Sequence, residues 1–354
     1  MCKQLRKIIM KFKTLTIVPF FLLATMAFAQ DAPKLPVDIS GVIFGSYYVN
    51  LSDADARLNT PNKGKHGYDL ERVWLNFQKS LGDNWSMRVT TDIVQVTNTS
   101  GNPDNPAPRG VPFIRWAAVE YKDNFGDIGA RAQFGIMDHP IDGLLNRLAG
   151  MRWLSRTQLD LNGMQNSADL GALVEFNFFK LATLNLSLLN GEGFGTIRQA
   201  NEPYSGKEFN GLLSITPIEQ LYINLFYTYE KFDKGSADSF FGGGIAWSDK
   251  LYKAGVNVTL TDDDVKRAQN ANALFVDGWV NVGFKDLIGL PFTLNGRVGY
   301  IARDDDTVGD TTTFAVGPGY QFNSNVQFAL WGTYSKTGDT DADMAVSLKT
   351  EIRF

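Results

Sequence analysis

The chain ends on the segment MAVSLKTEIRF, Met344 to Phe354, in which apolar and polar residues alternate. Counting back from Phe354, every second residue is Ile352, Thr350, Leu348, Val346 and Met344, apolar apart from Thr350. The residues between them are the polar Arg353, Glu351, Lys349 and Ser347. A period of two is that of a β-strand with one apolar and one polar face. We expect the first row to face lipid and the second a watery interior, because a strand that closes a barrel leaves no unpaired edge in the bilayer.

The same alternation recurs after residue 30, whereas helical periodicity is scarce there. It is clear in RVWLNFQKSL (72–81), LGALVEFNF (170–178) and LYKAGVNVTL (251–260). The pattern predicts sixteen strands. They are expected at 37–50, 67–81, 84–96, 111–122, 127–137, 169–179, 183–190, 206–216, 220–231, 239–248, 251–261, 272–284, 292–302, 311–322, 325–336 and 343–354.

The connections between these segments alternate in length. Short links such as PIE and SDK are followed by long polar stretches such as LSDADARLNTPNKGKH, the longest being 138–168. A soluble barrel or sandwich shows the same strand alternation but has no reason to sort its loops by length. The layout favours an all-β fold, a transmembrane antiparallel β-barrel with short periplasmic turns and long extracellular loops. Aromatic residues at strand ends beside the short links fit a headgroup-level girdle: Trp85, Tyr121, Phe178, Tyr222, Tyr252, Phe292 and Phe354.

The first thirty residues have the pattern of a cleaved signal peptide. A cationic start precedes the apolar run LTIVPFFLLATMAFA, and Ala27-Phe28-Ala29 fits the small-x-small cleavage pattern. We therefore expect residues 1–30 to be removed and residues 31–354 to form the barrel domain. Met10 is an alternative start, since MKFKTLTIVPFF is a complete signal by itself.

Composition narrows the partners. The formal charge is −4, and the five cations of residues 1–30 have no acidic counterpart there, so the rest of the chain is at −9. Nucleic acid is therefore not an expected partner, because phosphate binding needs clustered cations. The one cysteine, Cys2, lies in the predicted signal, so disulfides are not expected in the exported chain.

Three segments resemble the bacterial outer-membrane porins, and in particular the phosphate-selective porin (O/P) superfamily. They are YDLERVWLNFQKSLGDNWSMRVTTDI (68–93), WAAVEYKDNFGDIGARAQFGIMDHPIDG (116–143) and FALWGTYSKTGDTDADMAVSLKTEIRF (328–354). The resemblance implies a 16-stranded barrel, a homotrimer, and a constriction loop after strand five that folds into the lumen. The residue pattern independently places the longest loop, 138–168, at that position. The lysine ladders of that family are missing from this sequence, so phosphate selectivity is not carried over.

The loop 138–168 and the polar strand faces provide the candidate site. For the pore constriction we select Arg147, Arg152, Arg156, Asp138 and Asp142, and for the lumen wall Arg72, Arg88, Asp92, Arg131, Glu175, Lys253 and Arg297. Charges on an inward-folded loop facing opposite charges on the wall set a transverse field and hence an ion preference. Either the loop arginines line the pore opposite acids such as Glu175 or Asp92, or some of them only attach the loop to the wall through carboxylate pairs.

The sequence offers few residues for other chemistry. The two histidines, His66 and His139, are both expected in or beside loops, and anchoring the loop is the expected role of His139. Catalytic residues, cofactors and a metal site are not predicted. Acidic clusters in the long loops could bind Ca²⁺ or Mg²⁺, but solvated charge runs explain them better: Asp53/Asp55, Asp262–Asp264, Asp304–Asp306 and Asp339/Asp341/Asp343.

The expected function is passive diffusion of small hydrophilic solutes and ions through a water-filled channel in the bacterial outer membrane. One alternative is a channel that prefers an anion or small organic solute, favoured if the three loop arginines converge. The other is a non-conducting barrel that acts as a surface anchor or an enzyme. The expected partners are outer-membrane lipid and lipopolysaccharide, and two further copies of the chain in a homotrimer. The barrel-assembly machinery is also expected, because the C-terminal strand ending at Phe354 resembles the signal that it recognises.

Overall fold

The computed structural model describes residues 37–52, 63–95, 110–191, 193, 207–231, 237–263, 272–304 and 309–354. The predicted signal peptide and the tips of several long connections lie outside these ranges. Within them the chain forms a closed barrel in which each strand pairs with its sequence neighbours. The predicted all-β antiparallel barrel is therefore confirmed, and so is its count of sixteen strands.

The strands lie within a few residues of their predicted bounds. They are β1 Asp38–Asn50, β2 His66–Ser80, β3 Trp85–Gln95, β4 Gly110–Phe125, β5 Ile128–Asp138, β6 Ala168–Phe178, β7 Ala182–Leu189, β8 Lys207–Ile218, β9 Leu221–Lys231, β10 Ala237–Ser248, β11 Tyr252–Asp263, β12 Ala273–Gly283, β13 Phe292–Arg303, β14 Thr311–Gln321, β15 Val326–Thr337 and β16 Asp343–Arg353. The described residues also form three short helices, α1 Pro140–Ala149, α2 Gln158–Leu161 and α3 Lys285–Ile288. In the described ranges no helix is long and apolar enough to cross a membrane.

The barrel closes through the C-terminal segment. Strand β16 pairs antiparallel with β1, from Val42 opposite Arg353 to Asn50 opposite Ala345. The carbonyl of Phe354 accepts the N–H of Gly41 at 2.8 Å, which extends the seam to the last residue. Because both edge strands are paired with each other, the sheet keeps no open edge.

The two faces of the closing strand differ as the alternation predicts. Met344 and Leu348 are exposed on the outer surface, 40% and 49% respectively. On the inner surface, Lys349 forms an ion pair with Glu71 of β2, and Glu351 is buried beside Arg353. Apolar residues likewise cover the outside of the other strands, as in the exposed Phe314 and Ile245.

The strand ends that short connections join gather at one end of the barrel, here called the turn end. The strand ends that long connections join gather at the other, the loop end. Aromatic pairs lie on the outside near the turn end, where an interfacial girdle would sit: Trp85–Tyr121, Trp247–Tyr252 and Phe292–Tyr320, with ring centroids 4.9, 6.0 and 5.3 Å apart. Tyr222 is an exception to the predicted girdle. It packs against the apolar cluster inside the barrel, because it shares the inward face of β9 with Asn224.

The connection between β5 and β6 lies inside the barrel. It carries α1 and α2, and α1 packs against β8, β10, β11 and β12, whereas α2 packs against β12. Helix α1 starts at Pro140, where the missing N–H costs nothing, and ends before Gly150, whose φ of 65° suits a left-handed cap. The segment, residues 139–167, is called the lumen loop below.

Candidate functional site

An apolar seat holds the lumen loop in place. Helix α1 buries a stripe of Ile141, Leu144, Leu145 and Leu148, which joins a cluster with inward-facing wall residues. Those wall residues come from β8 to β12: Leu212, Phe226, Phe240, Ala246, Phe275 and Trp279. Apolar side chains on the inner face run against the simple expectation of a polar lumen, and the loop explains them because it removes them from water.

Glycines make room in this seat. The inward-facing Gly242 and Gly244 of β10 stand beside Phe226 and Asn257. A Cβ added at Gly242 would meet the Phe226 ring at 2.4 Å, so larger residues there would displace it. The run FGGGIAW therefore serves close packing inside the barrel rather than a phosphate-binding loop.

A buried ion pair fixes the far end of the loop to the wall. The guanidinium of Arg297 on β13 donates to both carboxylate oxygens of Asp277 on β12, at 2.8 and 2.5 Å. The same guanidinium donates to the carbonyl of Ser155 at 3.2 Å, and Asp277 accepts the backbone N–H of Gln158 at 3.2 Å. Two wall residues thus hold the loop through its backbone.

His139 fixes the near end of the loop. Its Nε2 lies 2.6 Å from Oε1 of Glu208 on β8, and Asn210 donates to the same carboxylate at 2.8 Å. Burial acts to lower the pKa of His139, but the charges of Glu208, Asp142 and Asp169 outweigh it and the pKa is raised. A protonated, paired imidazolium is therefore the form that the surroundings favour.

Three cavities beside the loop are lined by described residues. A wide one of 1150 Å³ includes turn-end residues such as Lys180 and Glu219 in its lining, and one of 780 Å³ reaches loop-end residues such as Asp69 and Thr337. Between the loop and strands β2 to β5 lies a narrow cavity of 160 Å³. It shares Trp74 and Arg152 with the loop-end cavity. With the turn-end cavity it shares Arg88, Trp116, Asp138 and Gly143.

Two arginine–tryptophan stacks line the narrow cavity. The guanidinium of Arg88 lies over the ring of Trp116, and that of Arg115 over the ring of Trp74, each 4.6 Å from the ring centroid. Arg152 of the lumen loop also lines this space. The narrow cavity is therefore rich in cations and flat aromatic surfaces.

A β-bulge turns one of these arginines inward. Thr90 of β3 pairs with Trp116 of β4, but Thr91 pairs with Ile114, so Arg115 is an extra residue in β4. Regular alternation would leave only one of the two neighbours Arg115 and Trp116 on the inner face. The bulge instead leaves Arg115 and Trp116 both inside, where Arg115 is 8% exposed in its side chain and lies 3.5 Å from Asp138.

The predicted constriction residues separate into distinct positions. Arg147 is exposed in the turn-end cavity, whereas Arg152 and Arg156 both pair with Asp160 of the same loop, at 3.0 and 3.5 Å. The three loop arginines therefore do not converge on one point. Asp138 is the last residue of β5 and lines the narrow cavity.

Asp142 also touches the narrow cavity but is buried within the loop. Its two carboxylate oxygens accept from the Thr157 hydroxyl at 2.7 Å and the Asn146 amide at 2.8 Å. Since both oxygens are occupied, this carboxylate chiefly holds α1 to the segment before α2.

The predicted wall residues all lie on the inner face, and most of them are paired with one another. Arg72 pairs with Asp92 at 2.6 Å and Arg131 with Glu175 at 2.8 Å. Asp92 and Glu175 therefore form ion pairs with arginines of the wall. The sequence had suggested that they would face the loop arginines. Arg88 lines the narrow cavity, and Arg297 anchors the loop.

Lys253 is close to the loop. A Cβ built at Gly150 would sit 3.0 Å from its Nζ, which puts this cation just after the C-terminus of α1, where the helix dipole favours it.

Sequence reasoning missed three residues of the narrow cavity, namely Trp74, Arg115 and Trp116. Trp74 had a readable signal, because it falls on the polar positions of β2 between Arg72 and Asn76. Trp116 and Arg115 had none, since the bulge that orients them depends on the partner strand.

The remaining candidates are accounted for outside the cavity. The Tyr47 hydroxyl lies 3.0 Å from His66 Nδ1 near the loop end. In the part of the chain that the structure describes, no group of three His, Cys, Asp or Glu is placed to hold a metal ion. Much of the predicted acidic clusters, such as Asp53, Asp55 and Asp264, lies outside that part.

The fold is that of the outer-membrane porins. No protein-family model and no curated protein matches the sequence. Similar solved structures include the outer membrane channel DcaP of Acinetobacter baumannii, with a TM-score of 0.63 and 14% identity over 90% of this chain and 97% of that one. Pseudomonas putida OprB has a TM-score of 0.65 and 10% identity over 90% and 94%. An anion-selective porin from Comamonas acidovorans has a TM-score of 0.60 and 12% identity over 90% of this chain and 99% of that one.

Proposed function

We propose that the protein is an outer-membrane porin that lets small hydrophilic solutes and ions diffuse passively through a water-filled channel. The porin-like fold supports this function. The observation that carries the proposal is the chain of cavities beside the lumen loop, in which the narrow cavity shares lining residues with a wide one on each side. A solute would pass from the loop end, between the loop and strands β2 to β5, to the turn end.

The route is off-centre because the loop occupies the opposite side. Its apolar stripe covers the walls of β8 to β12, so water is excluded there. Charged and polar side chains line the side that stays open, as expected for a hydrated passage. Size filtering would therefore take place in the narrow cavity of 160 Å³.

A preference for anions is the second candidate, and the position of the charges supports it. Three arginines, Arg88, Arg115 and Arg152, line the narrow cavity against two acids, Asp138 and Asp142. Asp142 is only 2% exposed.

At the loop end the ion pair of Arg72 and Asp92 has its cation at the water and its acid behind it. Arg72 is 22% exposed in its side chain, whereas its partner Asp92 is fully buried. A mobile ion would meet the cation first, although the acid behind it weakens the field.

A non-conducting anchor or an enzyme is the remaining alternative. The open cavities speak against a filled lumen, and His139 is buried against Glu208, away from solvent. We infer that the protein is not an enzyme. If single-channel recording shows no conductance steps, this alternative becomes the better explanation.

The cellular setting is proposed on sequence grounds. We infer export through a signal peptide at residues 1–30, insertion in the outer membrane beside lipopolysaccharide, and assembly through the C-terminal strand ending at Phe354. A homotrimer and a relationship to the phosphate-selective porin superfamily follow from the resemblance of residues 68–93, 116–143 and 328–354. Nucleic acid is not an expected partner of a chain with this negative charge.

Single-channel recording in a planar bilayer tests the proposal. The purified protein should give discrete conductance steps in KCl, and a salt gradient should give a reversal potential on the anion-selective side. Absence of steps contradicts the porin function. Steps with a reversal potential near zero keep the diffusion channel and remove the anion preference.

A further inference from the structure

We propose that the narrow cavity is a binding subsite for a small, flat organic monocarboxylate, of which benzoate is the simplest probe. The proposal rests on the channel function above and adds the class of solute that the constriction holds. Four features of this cavity carry it: its hydrogen-bond donors, the state of its acids, its flat walls and its size.

Donors dominate the lining. Besides three guanidinium groups, the indole rings of Trp74 and Trp116 face this space, and neither indole N–H has an acceptor among the described residues. Trp116 is only 7% exposed, and neither indole nitrogen is accessible to a molecule the size of water, so a solute oxygen reaches either one only when the ring shifts. A buried donor without an acceptor costs free energy, so a solute that brings acceptor oxygens is favoured.

The acids nearby meet that demand only in part. Arg152 already pairs with Asp160 at 3.0 Å. Both oxygens of Asp142 already accept from Thr157 and Asn146. Asp138 lies 3.5 Å from Arg115, but its side chain is 47% exposed and turned partly to the turn-end cavity. The guanidinium of Arg88 donates from Nε to Thr90 and from one Nη to Asn76, and both partners are neutral. These bonds therefore leave its positive charge without a carboxylate in direct contact. An anion is the complement of this set.

Flat surfaces select the shape of that anion. Each arginine lies over the face of a tryptophan, Arg88 on Trp116 and Arg115 on Trp74. A carboxylate that binds the edge of such a guanidinium lies near its plane, so a flat substituent can follow the aromatic wall. A puckered ring of the same charge would hold its atoms away from that wall.

The size of the cavity sets an upper limit. Its 160 Å³ equals the volume of about five water molecules at ~30 Å³ each. A single small ring with one carboxylate is of this order, whereas a disaccharide is larger.

The test compares blockers in a planar bilayer. Benzoate, cyclohexanecarboxylate and inorganic phosphate are added separately to a channel conducting KCl, and the concentration that halves the current is measured. We expect benzoate to act at a concentration at least fivefold lower than either of the others. Equal action of the two carboxylates overturns the preference for a flat solute, and stronger action of phosphate overturns the carboxylate. Conduction without block by any probe removes the subsite but leaves the channel function standing.

Equilibrium dialysis of labelled benzoate against the detergent-solubilised protein provides a readout that does not need conduction. If no current is found, saturable benzoate binding at one site still supports the subsite, and its absence overturns it. The two proposals can thus fail separately.

Variants locate the site. Trp116→Phe and Trp74→Phe keep a ring but remove the indole N–H, and each should weaken benzoate block or binding about threefold or more. Trp247→Phe is the matched control, since Trp247 lies in the outer girdle and pairs with Tyr252. Equal loss in the control variant overturns the assignment. Far-ultraviolet circular dichroism checks that every variant keeps its sheet.

Discussion

The guanidinium of Arg115 lies 4.6 Å from the ring centroid of Trp74, although the two residues belong to strands that do not pair with each other. Strand β3 separates them, and the bulge in β4 makes the contact possible. The pair lines the narrow cavity on the proposed route, so its charge should govern which ions pass.

Charge reversal at Arg115 should move the selectivity toward cations. Arg115→Glu changes two units of charge at the constriction, and at ~6 Å in water two units amount to ~1.4 kcal/mol, or about tenfold before screening by salt. We expect the anion-to-cation permeability ratio to fall about fivefold, measured as a reversal potential under a KCl gradient.

Arg147→Glu is the comparison for that experiment. Arg147 is exposed in the wide turn-end cavity, where water and salt screen it. Its reversal should shift the ratio clearly less. An equal shift in both variants would mean that the constriction lies elsewhere.

Breaking the ion pair between Arg297 and Asp277 should loosen the lumen loop. Arg297→Met leaves the carboxylate of Asp277 buried without its partner and removes the hydrogen bond to the Ser155 carbonyl. Removing one partner of a buried ion pair typically destabilises the structure by about 3–5 kcal/mol. Hydrogen exchange of the amides in 155–161 should become faster, and the open-channel current noisier.

The double variant Arg297→Met with Asp277→Leu tests the cause. It removes both charges, so it should recover part of the exchange protection that the single variant loses. Protection that stays the same in the single variant would show that the loop does not depend on this anchor.

The apolar seat should contribute as much to the attachment of the lumen loop as the ion pair between Arg297 and Asp277 does. Leu145, 3% exposed, belongs to the buried stripe of α1, and Leu145→Ala should weaken the attachment of the loop by about 2–5 kcal/mol. Leu161→Ala is the matched control, because Leu161 is 41% exposed in the same loop. Current noise should rise in the first variant and stay near the native level in the second.

The attachment of the loop should also depend on pH through His139. Its pKa in the folded protein is raised above the ordinary value by Glu208 and its acidic neighbours, after burial has acted against them. A raised folded pKa gives stability that is complete below the unfolded pKa of about 6.5 and is lost as the pH rises through the folded pKa.

Current noise between mildly acidic and alkaline pH measures this effect. It should increase on the alkaline side in the native protein, whereas His139→Gln should show a nearly flat profile. A native profile as flat as that of the variant would rule out His139 as the titrating anchor.

The strands could be predicted because their signal is local. Alternation with a period of two and turn residues at each link are properties of neighbouring positions, and all sixteen strands were found from them. The length of the connection after β5 likewise marked the lumen loop. These patterns do not say which partners the inward-facing residues of the strands contact.

The interior could be predicted only in part, because its pairings join distant residues. The pairing of Asp92 with Arg72 instead of a loop arginine depends on the register of β2 against β3. Phe240 and Trp279 on the inner face make sense only once the lumen loop lies against them. The position of Arg115 depends on a bulge that no property of β4 alone announces.

The lumen loop also has a mechanical consequence. It leaves the wall between β5 and β6 and is fastened to β8 by His139 and to β12 and β13 by the pair of Asp277 and Arg297. A tube of a single sheet flattens easily, whereas a chord fixed across its bore resists that deformation. The loop is such a brace, and the width of the gap between the loop and β2 to β5 is therefore tied to the roundness of the whole tube.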